Sequence, residues 1–286
     1  MSADEGTGLK AKVGQWLETQ GYPLEMQVAR AFLKEGFAIR QSEYYEDPET
    51  KVARETDVIA HAQALLSGCL IRITVCAECK ASKEKPWVLL TSPQCGLAGP
   101  AQVVQRAASR LGTKFLASVA HDKRYQALEL LRLPDRPGFG VTQAFTSGND
   151  VAYAACISAS KAASGLAAKA DIASERQGPV AEILLPVVII EGRLFECFLD
   201  EHGSVIVNEV AEGTLVWRNQ LVHMPHTIIR IVTLASLTKF VQEFSAAASL
   251  FLASDDEIKR LMSAANVTKT WRIPEGKNRS LADDQK

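Results

Sequence analysis

Ten consecutive residues restrict the fold of this chain more than any others. From Ile71 to Lys80 the side chains alternate strictly, with Ile71, Ile73, Val75, Ala77 and Cys79 set against Arg72, Thr74, Cys76, Glu78 and Lys80. A repeat of two is the period of a β-strand, whose successive side chains point to opposite faces. The first set makes a continuous apolar face suited to a core. The second turns charged at its C-terminal end and places Glu78 and Lys80 on one side, about 6–7 Å apart. A carboxylate and an ammonium closing an otherwise buried strand are costly unless they are paired or used.

The rest of the sequence is globular in character. Of its 286 residues 47% are hydrophobic and 23% charged, which excludes wholesale disorder and collagen-like repeats and allows one large domain or two small ones. The net charge of -1 excludes a polycation, yet residues 93–180 carry 10 basic and 6 acidic side chains while both flanks are acidic. Met1–Gly6 lacks the basic-then-apolar pattern of a secretory signal, and no apolar run reaches the roughly eighteen residues of a membrane helix. The six cysteines have no disulfide-scaffold spacing. A soluble, cytoplasmic protein with reduced thiols and no membrane partner is expected.

Periodicity and breakers set the expected elements. A helix over 8–19 ends at Gly21, and a second runs from Pro23 to Gly36. Strands follow at Phe37–Tyr45, Val52–His61 and Leu70–Lys80, with a short extended piece at Trp87–Thr91. Prolines and glycines punctuate 92–149 around a helix at 101–118, and an alanine-rich helix covers 150–173. Strands Leu184–Ile190 and Arg193–Leu199 are joined by a hairpin turn at Glu191-Gly192. Strands Val205–Val210, Leu215–His223 and Thr227–Leu234, helices 235–252 and 255–265, and a polar tail after Trp271 complete the chain. The fold class expected is α/β, a mixed central sheet flanked by helices, without internal repeats.

Asp57 lies on the strand preceding the alternating one, followed by Val58, Ile59 and Ala60. Carboxylates from adjacent strands, with a lysine beside them, suit a hard divalent ion such as Mg²⁺, which takes one or two carboxylates and completes its shell with water and phosphate oxygens. The lysine can orient or help deprotonate a metal-bound water and offset charge developing on phosphorus. A helix bearing Glu25, a strand with Asp57 and a strand with Glu78-Cys79-Lys80 resemble the PD-(D/E)XK, or restriction-endonuclease-like, nuclease superfamily. The (D/E)-x-K triplet is matched by Glu78, Cys79 and Lys80 and the lone acid by Asp57; Thr56 stands where the family often has proline. The resemblance implies a metal-dependent nuclease holding Mg²⁺ or Mn²⁺ through Asp57, Glu78, the Cys79 carbonyl and Glu25, with Lys80 positioning water. It further implies DNA as substrate, a role in bacterial restriction or phage defence, and assembly as a homodimer or with a partner defence protein. Residues 1–199 would form the nuclease core, with 92–149 an insertion and 200–286 an extension packed on it. Two readings stand beside it: a catalytically silent nuclease-fold binding or regulatory subunit, and an effector active only with a partner or small ligand.

Weaker features carry ordinary explanations. Cys76 and Cys79 face opposite sides of a strand and cannot share a zinc ion. His223 and His226 flank a turn and lack a third ligand. Arg106, Arg110 and Lys114 would form one basic stripe if 101–115 were helical, and with Lys83 and Lys85 could contact a phosphate backbone; a solvated basic face is the plainer reading. The glycine-rich signatures of ATPases and dehydrogenases and the G-x-S-x-G elbow of serine hydrolases are absent.

Overall fold

The computed structural model describes residues 3–93, 97, 99–217 and 227–264. In chain order these form α1 (Ala3–Thr19), α2 (Tyr22–Lys34), β1 (Ala38–Glu46), β2 (Ala53–Leu66), β3 (Cys69–Thr91), α3 (Pro100–Val104), β4 (Ala107–Ala108), α4 (Arg110–Val119) and α5 (Lys123–Gln126). Then come β5 (Gly138–Gln143), α6 (Val151–Gln177), β6 (Val180–Leu199), β7 (Val205–Val210), β8 (Glu212–Trp217), β9 (Thr227–Thr233), α7 (Leu237–Leu252) and α8 (Asp255–Ala264). The architecture is α/β, with a single mixed sheet of nine strands and helices on both faces. No described helix is long and apolar enough to cross a membrane.

The alternation in β3 sorts the two faces as its period requires. Ile71, Ile73, Val75, Ala77 and Cys79 enter the main core with Leu24, Val28 and Phe32 of α2 and Phe240, Phe244 and Phe251 of α7. Phe32 and Phe37 meet Phe244 at ring-centroid distances of 5.8 and 4.7 Å, the spacing that aromatic pairs favour. Cys76 faces the other way, onto Ala162, Ala163 and Leu166 of α6. The described cysteines, Cys69, Cys76, Cys79, Cys156 and Cys197, are free thiols.

Three expected boundaries require correction, and each has a nonlocal cause. Leu70–Lys80 and Trp87–Thr91 are parts of one 23-residue strand, β3, because the parallel partner β6 accompanies it from Leu70–Val180 to Leu90–Cys197 with one irregularity between Ser82 and Trp87. The hairpin at Glu191-Gly192 does not form: β6 runs straight through it, and Gly192 pairs with Ser82. A Cβ on Gly192 would sit 2.4 Å from the Ser82 carbonyl oxygen, so glycine is needed there for close approach rather than for a turn. The helix expected at 101–118 is split into α3 and α4 by β4, which pairs with Ile183 and Leu184. Ser109 restarts the helix: its Oγ accepts the Gly112 amide and donates to the Val180 carbonyl. Residues 218–226, including His223 and His226, and the tail after 264 lie outside the described residues.

Helix α6 is fastened over β1, β2 and β3. Asp150 caps it, accepting the amides of Ala152 and Tyr153. Ser158, Lys161, Gly165 and Lys169 recur at three- and four-residue spacing and so share one face. They meet, in order, Glu78, Asp47 with Glu49, Tyr45 with Glu46, and Glu43. At Gly165 the approach is so close that a Cβ would lie 2.7 Å from both the Glu46 carbonyl oxygen and the Tyr45 ring. Gly165→Ala is therefore expected to lose about 1–3 kcal/mol of unfolding free energy through overpacking, against a helix preference for alanine of about 1 kcal/mol. A urea titration showing the variant equal to or more stable than the parent would contradict that contact.

Candidate functional site

The site lies in a gap along one edge of β3. One edge pairs with β6 over almost its whole length, so β2 and β5 must share the other. The β2 ladder covers Cys69 to Ala77, and the β5 ladder covers Trp87 to Thr91. Between them, residues 78–86 have no described strand beside them on that edge. The last β2–β3 pair is Val58–Ala77, so Asp57 and Glu78 are the next residues on each strand, where the sheet opens.

Local chemistry follows from that opening. Asp57 Oδ2 accepts the Cys79 amide at 2.7 Å, satisfying a main-chain donor that β2 no longer pairs. In a strand the N–H and C=O of one residue project to the same edge, so the Cys79 carbonyl shares the open side. Strand β1 is deformed at the same level: Gln41 pairs with Val58 and Glu43 with Thr56, and Ser42 between them has φ 54°, a left-handed conformation uncommon for serine.

Lys80 ties the acids together. Its Nζ donates to Glu78 Oε1 at 2.7 Å and lies 3.8 Å from Asp57 Oδ2. Ser158 Oγ donates to Glu78 Oε2 at 3.1 Å, so both oxygens of this buried carboxylate are held. Burial pushes the Glu78 carboxyl above its ordinary range; the Lys80 charge opposes the rise and the Asp57 charge adds to it. Burial alone would lower the Lys80 ammonium, but the charges of Glu78 and Asp57 outweigh it and raise its pKa. Glu25 on α2 is partly buried and forms no hydrogen bond or ion pair with the trio. Burial and the charge of Asp57 raise its carboxyl.

The basic residues singled out from sequence do not form one surface. Arg106 is buried outside both helices, where its guanidinium donates to the carbonyls of Gln102 and Leu131, so the stripe with Arg110 and Lys114 is broken. Arg110 is paired with Asp171 and Glu175, and Lys83 with Glu191. Lys85 and Lys114 are exposed and make no ion pair among the described residues. Lys85 belongs to the open stretch of β3.

Two contributors were missed from sequence. Ser158 looked like one more small residue of an alanine-rich helix; its signal was the shared face with Lys161, Gly165 and Lys169. Ser82 organises the irregular stretch beyond Lys80: its Oγ donates to the Lys85 carbonyl at 2.7 Å and accepts from Trp87 Nε1 at 3.1 Å and Gln143 Nε2 at 2.9 Å. Only the tertiary partners of Ser82 distinguish it from any other strand serine.

Three carboxylates, Glu25, Asp57 and Glu78, act electrostatically on one ammonium, leaving a surplus of negative charge. In donor type this set fits a hard divalent cation that needs only one or two carboxylates besides water. Among the described residues no three or more His, Cys, Asp or Glu side chains converge as a ready-made ligand group. No protein-family model, curated protein or solved structure matches the chain.

Proposed function

We propose that this chain is a metal-dependent nuclease with a restriction-endonuclease-like, PD-(D/E)XK core, hydrolysing phosphodiester bonds in DNA. The observation that carries the reading is the meeting of Asp57, Glu78 and Lys80 where β2 and β3 part. The order of elements supports it: a helix, three antiparallel strands, the helix α6, and a strand parallel to β3.

Asp57 and Glu78 would hold Mg²⁺ or Mn²⁺, with the Cys79 carbonyl and Glu25 in support. The bound ion supplies Lewis acidity at the scissile phosphate. Lys80, kept protonated by its two acids, is a donor rather than a base. It orients the attacking water and offsets the charge that builds on the phosphate oxygens. Ser158 fixes the second oxygen of Glu78 and so the direction of the first. Lys85, without an ion pair among the described residues, would contact the nucleic-acid backbone.

The test is incubation of the full chain with plasmid, single-stranded DNA and RNA in Mg²⁺, Mn²⁺ or EDTA. Cutting is expected with either metal and none in EDTA. A second reading, the silent binding subunit, is favoured by the occupied Lys80–Glu78 pair and the absence of a converged ligand group among the described residues. No cutting, together with no metal heat in calorimetry, would establish that reading instead.

A further inference from the structure

On the α6 side of the sheet, away from Lys80 toward the start of β3, a cavity of about 130 Å³ opens between α6 and strands β1, β2, β3 and β6. Its walls are charged. Glu182 of β6 is buried, and its oxygens are taken by Thr74 Oγ1 at 2.7 Å and Arg72 at 3.2 Å. Glu43 of β1 is paired with Lys169 of α6 and lies 3.7 Å from Arg40. Three permanent cations thus face two carboxylates, an excess of one positive charge. The Arg40 guanidinium, exposed at the mouth, makes no hydrogen bond among the described residues.

His61 of β2 is the second, independent observation. It lines this cavity at 7% exposure, and neither ring nitrogen hydrogen-bonds to any described residue. Its ring nitrogens are not sealed in the core but reach the cavity, where a bound ligand can meet them. The volume corresponds to about four waters or one compact tetrahedral anion.

We infer that this cavity binds a small oxyanion, either free or as the terminal phosphate of a larger ligand, through Arg40, His61 and Arg72. The inference does not depend on the nuclease reading, since it uses none of Asp57, Glu78 or Lys80. It carries a pH signature. Burial, Arg72 and Arg40 lower the His61 imidazole to about 4, so the ring is neutral when the cavity is vacant at neutral pH. An anion reverses the local field, binding takes up a proton, and affinity rises as pH falls. The other groups facing His61 are Arg40 and Glu43 from β1, Arg72 from β3, Lys169 from α6 and Glu182 from β6. Glu182, raised by burial, would also favour an anion on protonation, so a His61 variant is needed to separate the two.

The experiment is titration calorimetry of the full chain with sulfate at constant ionic strength, near pH 5.5 and near pH 7.5. Sulfate keeps its charge across this range, so a pH effect belongs to the protein. One saturable site is expected, several-fold tighter at the lower pH. His61→Gln should flatten that dependence, and Arg40→Gln, at an exposed position that leaves folding intact, should weaken binding several-fold. Phosphate binding like sulfate supports a free anion, and a nucleoside monophosphate binding far more tightly supports a terminal phosphate. The inference fails if none of the three ligands gives saturable heat, or if both variants bind as the parent does.

Discussion

On the proposed nuclease reading, Lys80→Ala is expected to cleave DNA at a rate reduced roughly 100- to 1,000-fold, the usual cost of removing one preorganised electrostatic donor. The ammonium is held by Glu78 at 2.7 Å and faces Asp57 at 3.8 Å, so its position is set before substrate arrives. Removing it leaves the buried Glu78 without a counter-charge, which drives that carboxyl further up and favours its neutral form. Some stability is lost as well, about 1–3 kcal/mol, and this effect must be separated from catalysis. Lys80→Arg retains the charge but not the compact ammonium, so it should recover stability more than rate. Asp57→Ala is expected to be as inactive, because it removes a carboxylate and strands the Cys79 amide together. The measurement is single-turnover cleavage in Mg²⁺, with thermal unfolding recorded on the same samples. Variants that lose stability but cut like the parent would reduce the trio to a structural ion pair.

Asp47→Ala should lower unfolding free energy by about 2–4 kcal/mol, the largest stability effect expected from an acidic side chain in this fold. Asp47 is fully buried in the turn between β1 and β2. Its Oδ1 accepts the amides of Glu49 and Thr50 at 2.9 and 3.0 Å, and its Oδ2 takes Arg54 at 2.8 Å and Lys161 at 3.3 Å. The turn, the start of β2 and helix α6 are therefore joined through one carboxylate. Asp47→Asn keeps an acceptor for the two amides and removes the charge, so its loss should be smaller. Burial works against ionisation here, but the two amides and Lys161 prevail and hold the carboxyl well below the usual range. A depressed carboxyl contributes its full stabilisation above its unfolded value, near 4, and loses it only as pH falls below that. Urea unfolding of parent and Asp47→Asn across the acid range should therefore converge from about pH 4 downward. Parallel curves at every pH would show that the charge contributes nothing.

Much of this architecture was legible in local pattern. The two-residue period of Ile71–Lys80 assigned every face of that strand correctly, because alternation is a property of the backbone and needs no partner. Pro23 and Gly36 bounded α2, and the run from 150 onward became α6 with Asp150 as its cap. Strand ends were less legible. Glu191-Gly192 reads locally as a turn, yet it is extended because β3 supplies a hydrogen-bonding partner at Ser82 and needs a residue without a Cβ there. Likewise 101–118 has helical composition throughout, but β6 draws Ala107 and Ala108 into the sheet.

The same division holds for the candidate site. Asp57, Glu78 and Lys80 could be named from the chain alone, since adjacent strands with charged ends constrain where such side chains go. The break in the sheet edge between Ala77 and Trp87 could not, because it depends on where β2 stops and β5, some fifty residues away, begins. Nor could the hold of Ser158 on Glu78 or the polar cavity around His61, both made by the placement of α6. By itself the sequence determined periods, caps and the identity of the charged groups, which short-range sterics and solvation decide. Tertiary structure decided which strand edges were left open, which charges were neutralised and which polar ring came to face a cavity, because each of those depends on contacts between residues far apart in the chain.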